Sequence, residues 1–217
     1  MFVTFEGLDL SGKSTQADRL VARLRRLHEA GQGKPGGVVH LREPGGTALS
    51  ERLRHLLLDR NQLAIAERTE LMLFSASRAQ LVAEVIRPAL AAKAIVICDR
   101  FYDSTTAYQG YGRGLDLDEV QWVNRVATGG LTPDCTVLVE ISVQEMHARR
   151  ASGGQEADRM EGSGAEFYER VRRGYRALAG AEPERFVTVD GMRPVEIVEE
   201  DIWRALSRRL QVSEALM

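Results

Sequence analysis

The chain has 217 residues, 44% of them hydrophobic and 28% charged, with a formal net charge of −2. That length can bury a substantial core in one or two domains, and the composition is ordinary for a globular protein. The near-neutral balance and a pI near 6.1 exclude a bulk electrostatic drive toward nucleic acid, so any basic site has to be local.

In chain order, "FVTFEG" is a short β-rich run that ends at a glycine. The start "MFVTFEG" lacks the basic segment and cleavage site of a signal peptide, and no apolar run is long enough to span a bilayer. The expectation is a cytoplasmic protein without a membrane partner. Next, "STQADRLVARLRRLHEAG" sets Leu20, Leu24 and Leu27 at helical spacing, with Gly31 as a stop. "GVVHLREPGG" predicts a strand and a Pro-Gly turn, and residues 48–58 have helical periodicity. A long helical pattern covers residues 65–92, with an interruption near Pro88. "AIVICDR", "CTVLVEI" and "RFVTVD" are nearly continuous apolar runs, the type expected of strands buried on both faces of a parallel sheet.

Five strands alternating with helices predict an α/β protein with a five-stranded parallel sheet and right-handed crossovers. Residues 151–167, rich in glycine and mixed charges, predict a mobile functional loop. Cys98 and Cys135 each lie in an apolar run and read as buried thiols, while the four histidines show no metal-ligand spacing.

The first strand leads into "GLDLSGKST", residues 7–15, where Gly7, Gly12, Lys13 and Ser14 fit G-x-x-x-x-G-K-[ST]. A strand before and a helix after place this as a loop whose backbone amides and helix end meet nucleotide phosphates, a feature that ATPases, GTPases, nucleic-acid motors and small-molecule kinases share. The expected ATP-binding set is Gly7, Leu8, Asp9, Leu10, Ser11, Gly12, Lys13, Ser14 and Thr15. Lys13 would reach the outer phosphates, and Ser14 together with Asp99 would serve Mg²⁺. Arg100, next to Asp99, suits a phosphate, because its fork can bind two oxygens. A hydrolase needs no second phosphate-bearing substrate there, and a phosphotransferase does.

Three further clusters supply an acceptor side. Arg42 in "REPGGT" falls at a strand's carboxyl end, where open α/β sheets bind ligands. Phe74 and Arg78 in "LFSASRAQ" share one helix face, offering an apolar plane for stacking a base and a donor for a carbonyl. "DRFYDSTTAYQG", residues 99–110, gathers hydroxyl, phenol and amide groups behind a strand end.

Together with the "ADRME" segment, these stretches resemble the bacterial thymidylate kinase family of P-loop kinases over most of the chain. The resemblance implies a three-layer P-loop kinase fold in a single domain, residues 1–217, with a flexible lid at about 149–165. It implies transfer of the γ-phosphoryl group of ATP, with Mg²⁺, to dTMP, and a homodimer formed through helices. It implies a base stacked on Phe74, with its O4 on Arg78, and Thr105, Tyr108 and Gln109 lining the pocket near Ser104. Arg42 and Arg100 would hold the acceptor phosphate, Asp9 would meet the 3′-hydroxyl of the sugar, and Glu43-Pro44 would be a cis peptide. That Asp9 merely braces the loop stays open. Leu10 departs from the family pattern, where many relatives carry a small residue or arginine, and Leu10 cannot supply a cation. That task then falls to the lid arginines, Arg150 ahead of Arg149, with Arg159 a structural residue. Phe101 stands where tyrosine is common. The turn at residues 189–194 is the candidate for the adenine side. Other kinases of this fold, or an ATP-binding switch without transfer, are the alternatives.

Overall fold

A computed structural model describes residues 1–59, 64–153 and 164–210. The five anticipated strands are β1 (Phe2–Glu6), β2 (Val38–Arg42), β3 (Ile95–Asp99), β4 (Cys135–Glu140) and β5 (Phe186–Asp190). All neighbours are parallel, in the order β2-β3-β1-β4-β5. The central strand β1 is buried along its whole length, as its apolar run requires.

Helices cover both faces, and strand alternation decides which side chains meet which layer. Val3 and Phe5 of β1, Ile95 and Ile97 of β3, and Val137 and Val139 of β4 pack against two helices. These are α1 (Lys13–Glu29), through Leu20, Val21, Leu24 and Leu27, and α9 (Val195–Leu210), through Val198, Ile202, Trp203 and Leu206. On the opposite face, Phe2, Val96 and Cys98 pack with Leu81, Val82, Ile86 and Phe101. Beside them Leu138 packs with Tyr108, Phe167, Tyr168, Val171 and Tyr175. The result is the three-layer P-loop kinase fold.

The second face is built from α2 (Ala48–Leu58), α3 (Glu67–Leu81), α4 (Arg87–Ala91), α5 (Tyr102–Thr105), α6 (Leu117–Thr128), α7 (Val143–Gly153) and α8 (Ala165–Ala181). The interruption predicted near Pro88 is not a break. A π-helical stretch, Val82–Ile86, joins α3 to α4 and carries the helix up to the proline. Pro88 cannot donate to the carbonyl four residues back, and widening the turn accommodates that missing bond. A second π-helical stretch, Thr106–Gly112, prolongs α5 and was not anticipated.

The same alternation aims the strand ends. Asp99 continues the Ile95–Ile97 side toward α1, while Glu6 continues the Phe2–Thr4 side toward α5 and α8. Glu43-Pro44, just beyond β2, is a cis peptide. Among the described residues no helix is long and apolar enough to cross a membrane.

Candidate active site

The loop between β1 and α1 begins at Gly7, whose φ is +142° and where a Cβ would lie 2.4 Å from the Val139 carbonyl oxygen, so only glycine fits. Gly12 is the N-cap of α1, and no side chain caps that first turn, so its amides remain available to an anion. Leu8 and Ser11 are buried in the loop, whereas Ser14 and Thr15 are exposed. Leu10 adopts a left-handed φ of +60°. The Lys13 ammonium is buried and donates to the Leu8 carbonyl at 3.4 Å. Burial and the neighbouring Arg100 charge push Lys13 below the usual lysine range, against the pull of Asp99 and Asp9.

Ser14 donates its hydroxyl proton to Asp99 Oδ2, and Asp99 Oδ1 is buried without a hydrogen-bond partner. A hydroxyl beside an acceptor-only oxygen at the foot of a phosphate loop is a donor set that suits Mg²⁺, which favours oxygen ligands and keeps several waters. Among the described residues no group of three or more His, Cys, Asp or Glu gathers as a metal cage. Any Mg²⁺ here would therefore be held through a few protein oxygens together with substrate phosphates.

Arg100, at the end of β3, has a left-handed φ of +69°. Its guanidinium donates to Asp9 Oδ1 at 2.5 Å, the Gly7 carbonyl at 3.0 Å, Ser104 Oγ at 3.0 Å and the Tyr175 hydroxyl at 3.1 Å. Asp9 also accepts from the Tyr108 and Tyr168 hydroxyls at 3.3 and 3.4 Å. Burial works to raise its pKa, yet Arg100, Lys13 and Tyr108 hold the carboxyl below the usual carboxylate range. The acid in the phosphate loop is thus tied to the acceptor-side arginine.

The other wall carries the base-pocket candidates. Phe74 on α3 is half-buried, and Arg78, one turn on, is only 2% exposed. Arg78 donates to Glu43 Oε2 at 2.8 Å, Asn124 Oδ1 at 3.2 Å and the Phe101 carbonyl at 3.3 Å. Burial pushes the Glu43 carboxyl up to about 7, with Arg78 pulling the other way. Gln109 donates its amide to the buried Glu70 at 2.9 Å. Arg42 is exposed at the rim and pairs with Glu51 at 3.0 Å.

One cleft of about 230 Å³ is lined by Asp9, Lys13, Ser14, Arg42, Phe74, Arg78, Asp99, Arg100, Ser104, Thr105, Tyr108 and Gln109, together with Glu43 and Arg54. The lid-base arginines lie to its side. Arg150 places its guanidinium 5.7 Å over the Tyr168 ring, and its charge acts on Asp9. Arg149 donates to Glu145 at 2.7 Å, the Leu10 carbonyl at 3.1 Å and the Gly191 carbonyl at 2.8 Å. It thereby ties the phosphate loop to the turn at residues 189–194. Arg159 and residues 154–163 of the anticipated lid lie outside the described residues.

The supporting residues Glu6, Glu70, Asn124, Tyr168 and Tyr175 were not singled out from sequence, and Glu43 only for its peptide bond to Pro44. Only Glu6 carried a signal, as a carboxylate inside the otherwise apolar and uncharged run "FVTFEG".

The family model described as thymidylate kinase matches residues 5–202. The chain belongs to the thymidylate kinase family. It is 46% identical to a thymidylate kinase of Chlorobium luteolum, over 97% of this chain and 99% of that one. It is 48% identical to a thymidylate kinase of Solidesulfovibrio magneticus, over 97% of this chain and all of the other. A crystal structure of thymidylate kinase from Ehrlichia chaffeensis superimposes with a TM-score of 0.75 at 34% identity, covering 95% of this chain and 98% of that one. As a thymidylate kinase family member the chain is a nucleotide kinase.

Proposed function

We propose that this chain transfers the γ-phosphoryl group of ATP to dTMP, forming dTDP for nucleotide biosynthesis. The observation that carries this reading is the continuity of the cleft: Lys13 and Ser14 of the phosphate loop and Phe74 and Arg78 of the base wall line the same space. A loop that served hydrolysis alone would have no use for that second wall.

In this reading Phe74 stacks on the base and Arg78 donates to a carbonyl at its position 4. A cytosine would instead present an amino donor to a donor-only guanidinium. Thr105, Tyr108 and Gln109 enclose base and sugar, and Arg42 and Arg100 hold the acceptor phosphate. That phosphate oxygen is already nucleophilic at neutral pH and attacks the γ-phosphorus while ADP leaves. No strong general base is needed, and positioning with charge neutralisation does most of the work. Lys13, Arg100 and a lid-base arginine, Arg150 before Arg149, surround the migrating group. Ser14 and Asp99 would hold Mg²⁺, which when bound would supply positive charge to offset that of the phosphates. The lid spans about residues 149–165 of a single domain, residues 1–217, and its closure limits hydrolysis of ATP by water.

The reading extends to a cytoplasmic homodimer. Two buried free thiols suit a reducing compartment. Leu49 and Leu56 of α2, Met72 of α3, and Trp122 and Val126 of α6 are exposed large apolar side chains on helices that pack side by side. A second copy would cover them. Sedimentation of a Trp122→Glu variant should show monomers; an unchanged dimer would remove α6 from the interface. For the activity itself, coupled ATP consumption should be fastest with dTMP among dTMP, dUMP, dCMP, AMP and thymidine. ATP binding without dTDP formation would overturn the reading.

A further inference from the structure

Glu6 is fully buried at the end of the central strand, outside the set that lines the cleft. Its Oε1 accepts from the Phe101 amide at 2.7 Å. Its Oε2 accepts from Ser104 Oγ at 2.6 Å and the Tyr175 hydroxyl at 2.9 Å. Those same two hydroxyls accept from Arg100, at 3.0 and 3.1 Å. Strand alternation makes this meeting obligatory, because Glu6 follows Phe2 and Thr4 onto the face covered by α5 and α8.

The hydrogen-bond polarity of the cluster is fixed at its two ends, while the Ser104 and Tyr175 hydroxyls, 2.9 Å apart, can also donate to one another. A guanidinium only donates, and an ionised carboxylate only accepts. Both hydroxyls therefore accept from Arg100, and their protons run toward Glu6, directly or with one hydroxyl relaying through the other. The Phe101 amide, which cannot turn, directly follows the left-handed Arg100 residue, a conformation unfavourable for a side chain of this kind. Glu6 thus grips Arg100 both through the next peptide and through two hydroxyls. Protonating or neutralising Glu6 adds a donor to the cluster, so either a hydroxyl turns its proton away from Glu6 or the Phe101 amide loses its acceptor, and the charge opposite Arg100 is lost.

We propose that Glu6 is a positioning residue that acts through the Phe101 amide and the Ser104 and Tyr175 hydroxyls to hold Arg100 in its reactive orientation. This rests on the reading of Arg100 as the arginine of the acceptor phosphate. A purely structural carboxylate here would be a poor choice. Burial and the nearby Asp103 charge push its pKa up to about 7, against Arg100, Ser104 and the Phe101 amide. The titratable and charged groups facing it are Lys13 from α1, Cys98 from β3, Arg100, Tyr102 and Asp103 from the α5 region, and Tyr175 from α8. The ionised form is the productive one, so turnover falls as pH drops through about 7.

The test is Glu6→Gln in the full-length enzyme, with folding checked by circular dichroism. The expected result is a kcat lower by about 10–100-fold, the scale of a mispositioned reacting group. The KM for ATP should stay within about twofold, since no ATP-facing group changes. The acid limb of wild type near pH 7 should be lost, leaving the substrate phosphate's own titration near pH 6. In an Arg100→Lys background the same change should add little, because both substitutions act on one group. Wild-type kcat and an unchanged pH profile in folded Glu6→Gln would overturn the proposal. Should that variant not fold, the Ser104→Ala/Tyr175→Phe double variant decides, since it removes both hydroxyl links between Glu6 and the guanidinium while keeping the carboxylate and its bond to the Phe101 amide. A kcat reduced about tenfold or more supports the proposal, and wild-type kcat overturns it. Arg100→Ala separates the two ideas: if it retains turnover, the underlying reading of Arg100 fails, whereas if it is inactive beside a wild-type-like Glu6→Gln, only the positioning role fails.

Discussion

On the Phe74 side of the cleft the polar side chains Arg78 and Gln109 are each held by a buried partner from another element, whereas at the phosphate loop, the buried Lys13 apart, the cleft-facing groups are main-chain amides and side chains near solvent. Arg78 is fixed by Glu43, Asn124 and the Phe101 carbonyl, and Gln109 by Glu70. Ser14 and Thr15 are exposed, and the first turn of α1 carries no side-chain cap. The difference follows from what each end has to distinguish. Telling one base from another needs polar groups whose misfit leaves a buried atom unpaired, and such groups discriminate only when rigid. A triphosphate is recognised by charge and a row of N–H donors, which the loop backbone supplies without buried side-chain partners. Arg100 belongs to both ends, since it is bonded from behind like Arg78 and lines the cleft beside the loop, where the proposed reading gives it the acceptor phosphate.

The sharpest way to break the comparison is to remove the residue that joins its two halves. Arg100→Ala should lower turnover at saturating substrates by about 10²–10³-fold, the scale for losing one preorganised donor to developing charge. Steady-state turnover near wild type would return Arg100 to a structural role. The base wall can be attacked through Glu43. Glu43→Ala should cost about 3–5 kcal/mol in denaturant unfolding, because it strands the buried Arg78 charge. A Glu43→Leu/Arg78→Met pair should recover most of that stability while losing the preference for dTMP over dCMP, separating recognition from folding.

At the phosphate end, Asp99→Asn should raise the Mg²⁺ concentration for half-maximal rate by about tenfold, while the KM for dTMP stays within about twofold. Asp9→Ala should weaken dTMP binding by about tenfold, as expected for one lost hydrogen bond to a charged group, and ATP binding less. Calorimetry with each nucleotide gives the ranking, and the opposite order would leave Asp9 as a brace for the loop. Smallest of all, Arg68→Ala, which removes an exposed pair with Glu119, should change stability by under about 1 kcal/mol and leave both ends of the cleft unaltered.

The sheet was legible in the sequence because β1, β3 and β4 are buried on both faces, so their apolar runs contrast with flanking helical periodicity, and the partly exposed edge strands β2 and β5 still read as short β-branched runs. The phosphate loop was legible because its spacing is local, and Phe74 and Arg78 because four residues on a helix share one face. Glu6 and Tyr175 are 169 positions apart, and Glu70 and Gln109 are 39 apart. No local pattern encodes such pairs; they exist only once the layers close. Pro88 marked the right place for an irregularity, but residue type alone does not distinguish a break from a widened turn. At Thr106–Gly112 there is no proline, and the widened turn there is set by what the two ends of the segment must touch.

That second widened segment has a consequence of its own. A π turn holds one residue more than an α turn, so it acts as an insertion that shifts the phase of everything beyond it. In Thr106–Gly112 the early positions Tyr108 and Gln109 face the cleft, while Gly112 passes so close to α8 that a Cβ would meet Phe167 at 2.7 Å. An unbroken α-helix would rotate one end relative to the other by about 100° for the residue it lacks. Deleting a single residue between them, a change that alters no functional group, would therefore force a choice between seating the helix on α8 and facing the cleft.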